Sequence, residues 1–462
     1  MEPSTDRPNG GTSRQLRRYG PIIAIVVIAA VVGAVVLLTS GGGDKKQTTA
    51  TGEGKAPTGA ISFSQAKKEG LNVEFSKWCD KSTGRIAMPY FFRPECYANV
   101  KDNGGATAQG VTRDTIKVVV YLTEEHDPII DYITAAIKNN DTTEQVTLVL
   151  SEFVEKQLAG RKAVYAGDPA LQTRDRKFGA VYAESSAEST KLAGLFKDTL
   201  AAKGVQLAEQ IPYTIDPARL QEQGAAMIGR LKAAGVTTVF FTGDPIAPRT
   251  FTEEATRQEY FPEWVINGSI LTDVAAFGRT YDQRQWAHAF GITGGAARVR
   301  DENGDQIYKL HEWFHGKPPA AKDTYGVLWF QPATFYAALQ AAGPHLTPET
   351  FRDGLFAGRP TQHAITAVSV SWGRHGIWPK VDYNGVDDFT LLWWDPQAEG
   401  PDEIRKPGKG LYQYVDGGKR YLLGQFPRAA PKMFDRAGAV ALYPEIPAAE
   451  RPPDYPPPNQ RK

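Results

Sequence analysis

The sequence predicts an α/β fold in which helices cover an open, doubly wound parallel sheet. Between Arg176 and Gly295, short runs of β-branched and aromatic residues alternate with stretches that have apolar residues at helical spacing. Capping residues begin these helical stretches, and glycines follow them. Helices of this length join consecutive strands through right-handed crossovers, which makes the strands parallel.

Five strands and the helices between them follow in order along this region. The first helix begins after Ser186 and has apolar residues on one face. The second begins at Asp216, with Pro217 in its first turn, and ends at Gly235. A third helix precedes the fourth strand. The strands are predicted at 177–182, 206–213, 236–241, 263–267 and 288–293.

An open sheet of this kind binds ligands outside the carboxyl ends of its strands. The turns at that edge, 184–186, 242–244 and 267–269, are short and polar. These turns, together with two residues near the end of an earlier strand, supply the eight candidate ligand-binding residues. They are Tyr121, Thr123, Glu184, Ser185, Ser186, Asp244, Asn267 and Ser269. The alternative is that the serines and Asp244 only cap their helices.

Composition and motifs narrow the classes of function. The chain has 462 residues and a net charge of +1, which allows one or two domains and gives no reason to expect nucleic acid. We find no G-x-S-x-G, no Walker-type motif and no G-x-G-x-x-G after a strand. The sequence therefore predicts a protein that is not an enzyme, with no catalytic residue and no cofactor.

A transmembrane anchor is predicted near the N-terminus. Residues 21–39 carry no charge, and at about 1.5 Å per residue they can cross a hydrocarbon core of roughly 30 Å. Arginines precede this stretch, which places residues 1–20 in the cytoplasm and the bulk of the chain outside the cell membrane. A cleaved signal peptide is the alternative. Residues 40–75 have the composition of a flexible linker.

The chain has two cysteines, Cys79 and Cys96. Two close cysteines in an exported chain most simply form a disulfide. Closing this loop would stabilise the folded state by about 3 kcal/mol. The alternative is a pair of free thiols for redox chemistry or metal binding, although the C-x-x-C spacing is missing.

A family resemblance begins where the folded part of the chain begins. Gly110-Val111-Thr112, followed by a strand at 115–120, resembles the opening of the branched-chain amino-acid type of ABC-transporter solute-binding proteins. The region from Arg176 is similar to that family's second lobe, and 325–341 resembles the helix that returns to the first lobe. The resemblance implies a two-lobed periplasmic-binding-protein-like fold that closes over a small molecule and is recognised by an ABC permease or another membrane protein.

The sequence departs from this family in its first lobe and in two turns. Residues 111–175 lack the middle strands that carry serine and threonine contacts to the ligand in amino-acid-binding relatives. The turn at 243–245 lacks the aromatic side chain that the family has there, and the turn at 267–269 lacks the family's acidic side chain. The resemblance thus leaves open which ligand is bound, with an amino acid or an amide as candidates.

One motif favours an enzyme instead. His311-Glu312-Trp313-Phe314-His315 is a complete H-E-x-x-H, which on a helix presents two imidazoles to zinc with Glu312 as general base. The proline pair at 318–319 ends the helix soon afterwards, and the apolar residues of the segment form an ordinary amphipathic stripe. The sequence therefore keeps a zinc metallopeptidase with His311 and His315 as an alternative.

The C-terminal part is predicted to contain a strand at 389–395 and a hairpin. Its two strands, 411–415 and 420–423, flank a turn at 416–419. A proline-rich tail after them is predicted to be extended and unfolded. The chain is thus divided into a cytoplasmic tail at 1–20, an anchor at 21–39, a linker at 40–75, a cysteine-containing segment at 76–110, a reduced first lobe at 111–175, a second lobe at 176–295, a return to the first lobe with the hairpin at 296–427, and the tail at 428–462.

Together these observations predict a membrane-anchored, extracytoplasmic solute-binding protein that takes part in ABC transport or in sensing. Two alternatives come from other classes. One is the zinc metallopeptidase, and the other is a protein-interaction scaffold that has kept the fold without a ligand.

Overall fold

The computed structural model describes residues 56–117, 144–216, 218–300, 306–320, 330–361 and 363–460. The helices are α1 (Phe63–Glu69), α2 (Glu144–Phe153), α3 (Pro169–Gln172), α4 (Ala187–Ala202), α5 (Leu220–Ala233), α6 (Ala247–Arg257), α7 (Ala275–Gly278), α8 (Gln283–Trp286), α9 (Gln306–His315), α10 (Phe330–Ala342) and α11 (Pro348–Ala357). The strands are β1 (Cys79–Asp80), β2 (Arg85–Ile86), β3 (Phe178–Ala183), β4 (Leu207–Tyr213), β5 (Thr238–Thr242), β6 (Glu263–Ile266), β7 (Ala289–Thr293), β8 (Arg298–Val299), β9 (Asp388–Pro401), β10 (Pro407–Tyr414), β11 (Arg420–Leu422) and β12 (Leu442–Tyr443).

One large sheet organises the described part of the chain. Its strand order is β10-β9-β7-β6-β5-β3-β4, and β11 pairs with β9. Strands β3 to β7 are parallel to one another, whereas β9 runs antiparallel to β7. The predicted α/β class and all five predicted parallel strands are confirmed, with strand ends displaced by up to two residues.

Helices cover both faces of this sheet, as a doubly wound fold requires. In β5, Phe240 points to the face covered by α2 and α4, where it packs on Phe178 and Phe196. Its neighbours Val239 and Phe241 point to the opposite face, which α5 and α6 cover. This alternation follows from the period of two along a strand. Because both faces are buried, the strands contain few polar residues.

The predicted border between two lobes at residue 175 does not separate two packing units. Helix α2 continues as a π-helical turn at Val154–Leu158, and the side chains of Phe153 and Leu158 are buried in the same apolar cluster as β3. This segment therefore belongs to the body built on the large sheet. A predicted first-lobe sheet would include 118–143, which lies outside the described residues.

The predicted hairpin at 411–423 is wrong. Strands β10 and β11 do not pair with each other, because both lie along the same side of the longer β9. The turn at Val415–Gly418 has left-handed backbone at Asp416 and Gly417, and it carries the chain onward along β9 instead of reversing it. The hairpin in this region is formed by β9 and β10, with its turn at 402–406.

The proline-rich tail was predicted to be unfolded, and this prediction is also wrong. Met433, Leu442 and Ile446 are buried, and β12 pairs with β8 in parallel. The backbone of Val440 exchanges two hydrogen bonds with Tyr414 at the edge of the large sheet. Prolines limit regular structure in such a segment, but the apolar residues between them still gain free energy from burial.

The predicted disulfide between Cys79 and Cys96 is confirmed, with 5.7 Å between the two Cα atoms. It encloses the β1–β2 pair. The tail reaches this loop, because the hydroxyl of Tyr455 accepts a hydrogen bond from Arg93 and donates one to Asp80.

Replacing both cysteines with alanine is expected to destabilise the cysteine loop by about 3 kcal/mol, because the disulfide restricts its unfolded state. Hydrogen exchange within 79–96 measures this loss. Reductant should accelerate exchange in the wild-type protein and leave the double variant unchanged. Equal exchange in the oxidised wild type and the variant would show that the disulfide does not stabilise the loop.

No helix in the described ranges is both long enough and apolar enough to span a bilayer. The predicted anchor at 21–39 lies outside those ranges.

Candidate functional site

The strand order creates a crevice at the carboxyl edge of the large sheet. Strand β3 lies between β4 and β5, so the chain leaves β3 to one side and later returns to its other side. At such a reversal, the connections that leave the two adjacent strands, here β3 and β5, run in opposite directions and leave a space between them. The turns after β3 and β5 lie at this point, which is where the sequence predicted the site.

A small cavity of about 40 Å³ lies at this crevice, on the face covered by α2 and α4. It has room for a few water molecules. Its walls come from both helices, from the ends of three strands and from the turns after them, and they are formed by Thr147, Leu150, Ala180, Val181, Tyr182, Ala183, Ser189, Leu192, Ala193, Phe196, Gln210, Thr242, Gly243, Asn267 and Ser269.

Two of the predicted ligand-binding residues, Asn267 and Ser269, line this cavity. Both side chains are buried. The amide of Asn267 donates to the Thr242 hydroxyl at 3.3 Å and accepts from the Ser269 backbone at 3.1 Å. The Ser269 hydroxyl accepts from the Gly243 backbone at 3.2 Å. These bonds join the turns after β5 and β6 and hold their polar groups at the cavity wall.

The predicted residues after β3 act at the helix instead of the cavity. Ser186 caps α4 by accepting a hydrogen bond from the Ser189 backbone, and Ser189 completes a capping box. The backbone of Ser185 donates to the Ser189 hydroxyl. Glu184 is exposed and accepts a hydrogen bond from Thr190. None of the three predicted residues lines the cavity. The contacts of the two serines are therefore those expected if they only cap the helix.

Asp244 binds the backbone of the turn that leads into α6. Its carboxylate accepts hydrogen bonds from the backbones of Ile246 and Ala247 and from the hydroxyl of Tyr213 at 2.6 Å. It is fully buried, and this burial raises its pKa above the ordinary value despite the hydrogen bonds. Asp244 is not part of the cavity wall. It fixes the turn that places Gly243 there.

Five polar residues of the cavity wall were not among the predicted ligand-binding residues: Thr147, Tyr182, Ser189, Gln210 and Thr242, the last of which lies in a predicted turn. Thr147 lies on α2, which reaches the sheet from a part of the chain assigned to another lobe. Gln210 lies within β4, and its amide donates to the Ala193 backbone oxygen at 2.7 Å. Ser189 lies one turn inside α4. Gln210 alternates with the buried apolar residues Ile211 and Tyr213 along β4, so the pattern contained no signal for its contact with the cavity. Tyr121 and Thr123 lie outside the described residues.

The H-E-x-x-H motif lies on α9, as predicted, with the rings of His311 and His315 4.4 Å apart. The Nδ1 atom of His311 is 2.9 Å from the backbone oxygen of Lys317. Within the described ranges, no group of three or more His, Cys, Asp and Glu side chains is arranged to hold a metal ion. The zinc metallopeptidase alternative therefore has no support from the geometry.

The sequence matches no protein-family model and no curated protein. Solved structures similar to the chain include a solute-binding protein of an ABC transporter from R. palustris in complex with benzoate, at 14% identity and a TM-score of 0.38, over 63% of this chain and 69% of that one. Another is a leucine-, isoleucine-, valine-, threonine- and alanine-binding protein from Brucella ovis in a closed conformation, at 10% identity and a TM-score of 0.41, over 62% and 66%.

A third is a branched-chain amino-acid ABC transporter periplasmic ligand-binding protein from Burkholderia xenovorans, at 14% identity and a TM-score of 0.35, over 64% and 70% of the two chains. The R. palustris and Burkholderia xenovorans proteins are binding proteins of ABC transporters.

Proposed function

We propose that this chain is an extracytoplasmic binding protein that holds a small polar molecule at the crevice after β3 and β5 and serves ABC transport or sensing. The observation that carries the proposal is the convergence of Thr242, Asn267 and Ser269 on a cavity at the point where the strand order reverses. Polar side chains at that position in an open parallel sheet are the usual contacts of a bound ligand.

The chemistry of the wall favours a neutral or zwitterionic ligand. The cavity presents hydroxyl groups and amides, while the nearby carboxylate of Asp244 is occupied by its hydrogen bonds to the backbone. A cavity of about 40 Å³ is too small for an amino acid. Binding therefore requires the crevice to widen, and closure over the ligand would then follow by a hinge motion.

Location outside the cytoplasm is supported by the disulfide, because such bonds persist in oxidising compartments. The uncharged stretch at 21–39 would anchor the chain, with its N-terminus in the cytoplasm. An anchored binding protein remains beside its membrane partner, which suits both an ABC permease and a sensor.

Replacing Thr242 with valine is expected to weaken ligand binding at least tenfold, because it removes a hydroxyl from the cavity wall and largely keeps the side-chain volume. The measurement is a thermal-shift screen of the full-length chain against amino acids, amides and sugars. A ligand at 100 times its Kd adds about 2.7 kcal/mol of stability, which raises the Tm visibly.

Thr190→Val is the matched control, since Thr190 is exposed on α4 and does not line the cavity. It should respond to the ligand as the wild type does. If no compound shifts the wild-type Tm, the binding function is wrong and the scaffold alternative is favoured. If a compound shifts all three proteins equally, it binds elsewhere.

A further inference from the structure

A second cavity, about 390 Å³ in volume, lies away from the crevice. Its walls come from the cysteine loop at 90–92, residues 296–299 including β8, the first turn of α9, the segment 366–368 with Ala367, the β9–β10 turn and Ile446 of the tail. None of these residues lines the cavity at the crevice. We call this space the aromatic cavity, after Tyr90, Phe91, Phe92 and Tyr308 in its walls.

The aromatic wall is held in place by a contact between two distant parts of the chain. The backbone of Phe91 donates a hydrogen bond to the side chain of Gln306 at the start of α9. The disulfide restrains the same loop from its other end, because Cys96 follows the aromatic run. The backbone that carries these rings is therefore held at two points, and aromatic side chains placed there can pack against a flat apolar group.

Two guanidinium groups and one carboxylate supply the charge of the aromatic cavity. These are Arg298, Arg405 and Glu403. The Nη2 atom of Arg298 lies 3.2 Å from a carboxylate oxygen of Glu403 and donates to the Pro401 backbone oxygen at 3.1 Å. Arg298 is thus paired with Glu403, and Arg405 is the second guanidinium group in the wall.

The guanidinium group of Arg298 has a further N–H donor. Its Nη1 atom is buried and has no hydrogen-bond partner among the described residues. A buried donor without a partner destabilises the folded protein, and does so more strongly when the group is charged. A small rotation of this long side chain toward the aromatic cavity would let Nη1 donate to a ligand oxygen and remove that destabilisation.

Arg405 is fixed by its turn. Its backbone has a φ of 65°, which lies in the left-handed region. The carboxylate of Asp402 accepts hydrogen bonds from the backbones of Ile404 and Lys406 and so determines the path of the chain on either side. The Arg405 guanidinium lies 5.7 Å from the ring centroid of Tyr308 and donates to the Val299 backbone oxygen. A positive charge is thereby held beside an aromatic ring in the wall.

We propose that the aromatic cavity binds a small organic carboxylate with a flat aromatic body. The ring of the ligand packs against Tyr90, Phe92 and Tyr308, and its carboxylate accepts a hydrogen bond from Arg298 in the field of Arg405. Guanidinium groups pair well with carboxylates, and aromatic walls gain free energy by covering a flat apolar ring. This site is separate from the crevice and does not depend on the function proposed for it.

The test is calorimetric titration of the full-length chain with indole-3-acetate and with indole-3-ethanol, which has the same ring and no carboxylate. Wild-type protein is expected to bind the acid at least tenfold more tightly than the alcohol. Arg298→Gln should abolish this preference by weakening the acid at least tenfold. Equal affinity for the two compounds, or no binding of the acid, would refute the proposal.

Two further variants distinguish a loss of the binding site from a general loss of folding. Arg300→Gln is the matched control, because Arg300 follows β8, is exposed and does not line the aromatic cavity. It should bind the acid as the wild type does. Ala367→Trp places a ring into the aromatic cavity without altering Arg298, so it should block the acid. Unchanged affinity in Ala367→Trp, or an equal loss in Arg300→Gln, would place the acid elsewhere.

The crevice provides an independent comparison. Thr242→Val should leave the affinity for indole-3-acetate unchanged, because Thr242 does not line the aromatic cavity. A loss of affinity in this variant would mean that the acid binds at the crevice, and would overturn the assignment to a second site.

Discussion

Replacing Glu263 with alanine is expected to lower the free energy of unfolding by about 3–5 kcal/mol, because it leaves a buried guanidinium without its partner. The two groups meet at 2.7 Å between Arg176 Nε and Glu263 Oε2 and at 2.8 Å between Nη2 and Oε1. The side chains are 2% and 0% exposed. The carboxylate also accepts hydrogen bonds from the Thr238 hydroxyl and the Tyr165 backbone.

Urea unfolding of the variant measures the loss. Glu253→Ala is the matched control, because Glu253 pairs with Arg249 on the exposed surface of α6, where such a pair contributes less than about 1 kcal/mol. A double variant, Arg176→Met with Glu263→Leu, should recover part of the stability, since it leaves no charge unpaired but still removes the acceptor of Thr238 and Tyr165. A loss below about 1 kcal/mol in Glu263→Ala would contradict the assignment of a buried ion pair.

Replacing Asp387 with asparagine is expected to stabilise the protein at pH 8 by up to about 4 kcal/mol. Burial raises the pKa of Asp387 to about 7, and the charges of Asp382 and Asp388 add to this effect, while a hydrogen bond from Ser371 opposes it. The folded state therefore keeps this proton up to about pH 7, whereas the unfolded state releases it near the ordinary pKa of 3.8. Stability from this group is present below about pH 4 and is lost as the pH rises toward 7.

The measurement is urea unfolding of wild type and variant at pH 5 and pH 8. The variant should gain far more at pH 8 than at pH 5, because asparagine has no proton to lose. A smaller slope should persist in the variant, since burial raises the pKa of Asp273 to about 6. Asp454→Asn is the control, because Asp454 is exposed. Identical pH profiles of the wild type and Asp387→Asn would show that Asp387 ionises normally in the folded state.

The sequence was sufficient for the parallel part of the sheet because each signal there is local. A β-branched run such as 236–241 and the glycine before it lie within a few residues of each other, and the crossover rule then sets the direction of the next strand. The same logic placed Asn267 and Ser269 at the correct edge of the sheet.

The failures come from contacts between residues far apart in the chain. The sequence around Asp416 and Gly417 is compatible with a hairpin, but the long edge of β9 offered both flanking strands a better partner. Thr147 reached the cavity on a helix whose position depends on packing against Phe178 and Phe240. The pattern of residues along the chain does not determine which distant segments come into contact.

The contact between Val440 and Tyr414 gives the tail a protective role. An outer strand with unpaired backbone groups is a template for pairing with the same strand of another molecule. At Tyr414 both backbone groups are occupied, since Val440 donates one hydrogen bond to it and accepts another from it. Further along, the backbone of Gly417 donates to that of Gly438. A chain shortened before residue 428 would lose this cover and would be liable to aggregate edge to edge, so the proline-rich end contributes to solubility as well as to packing.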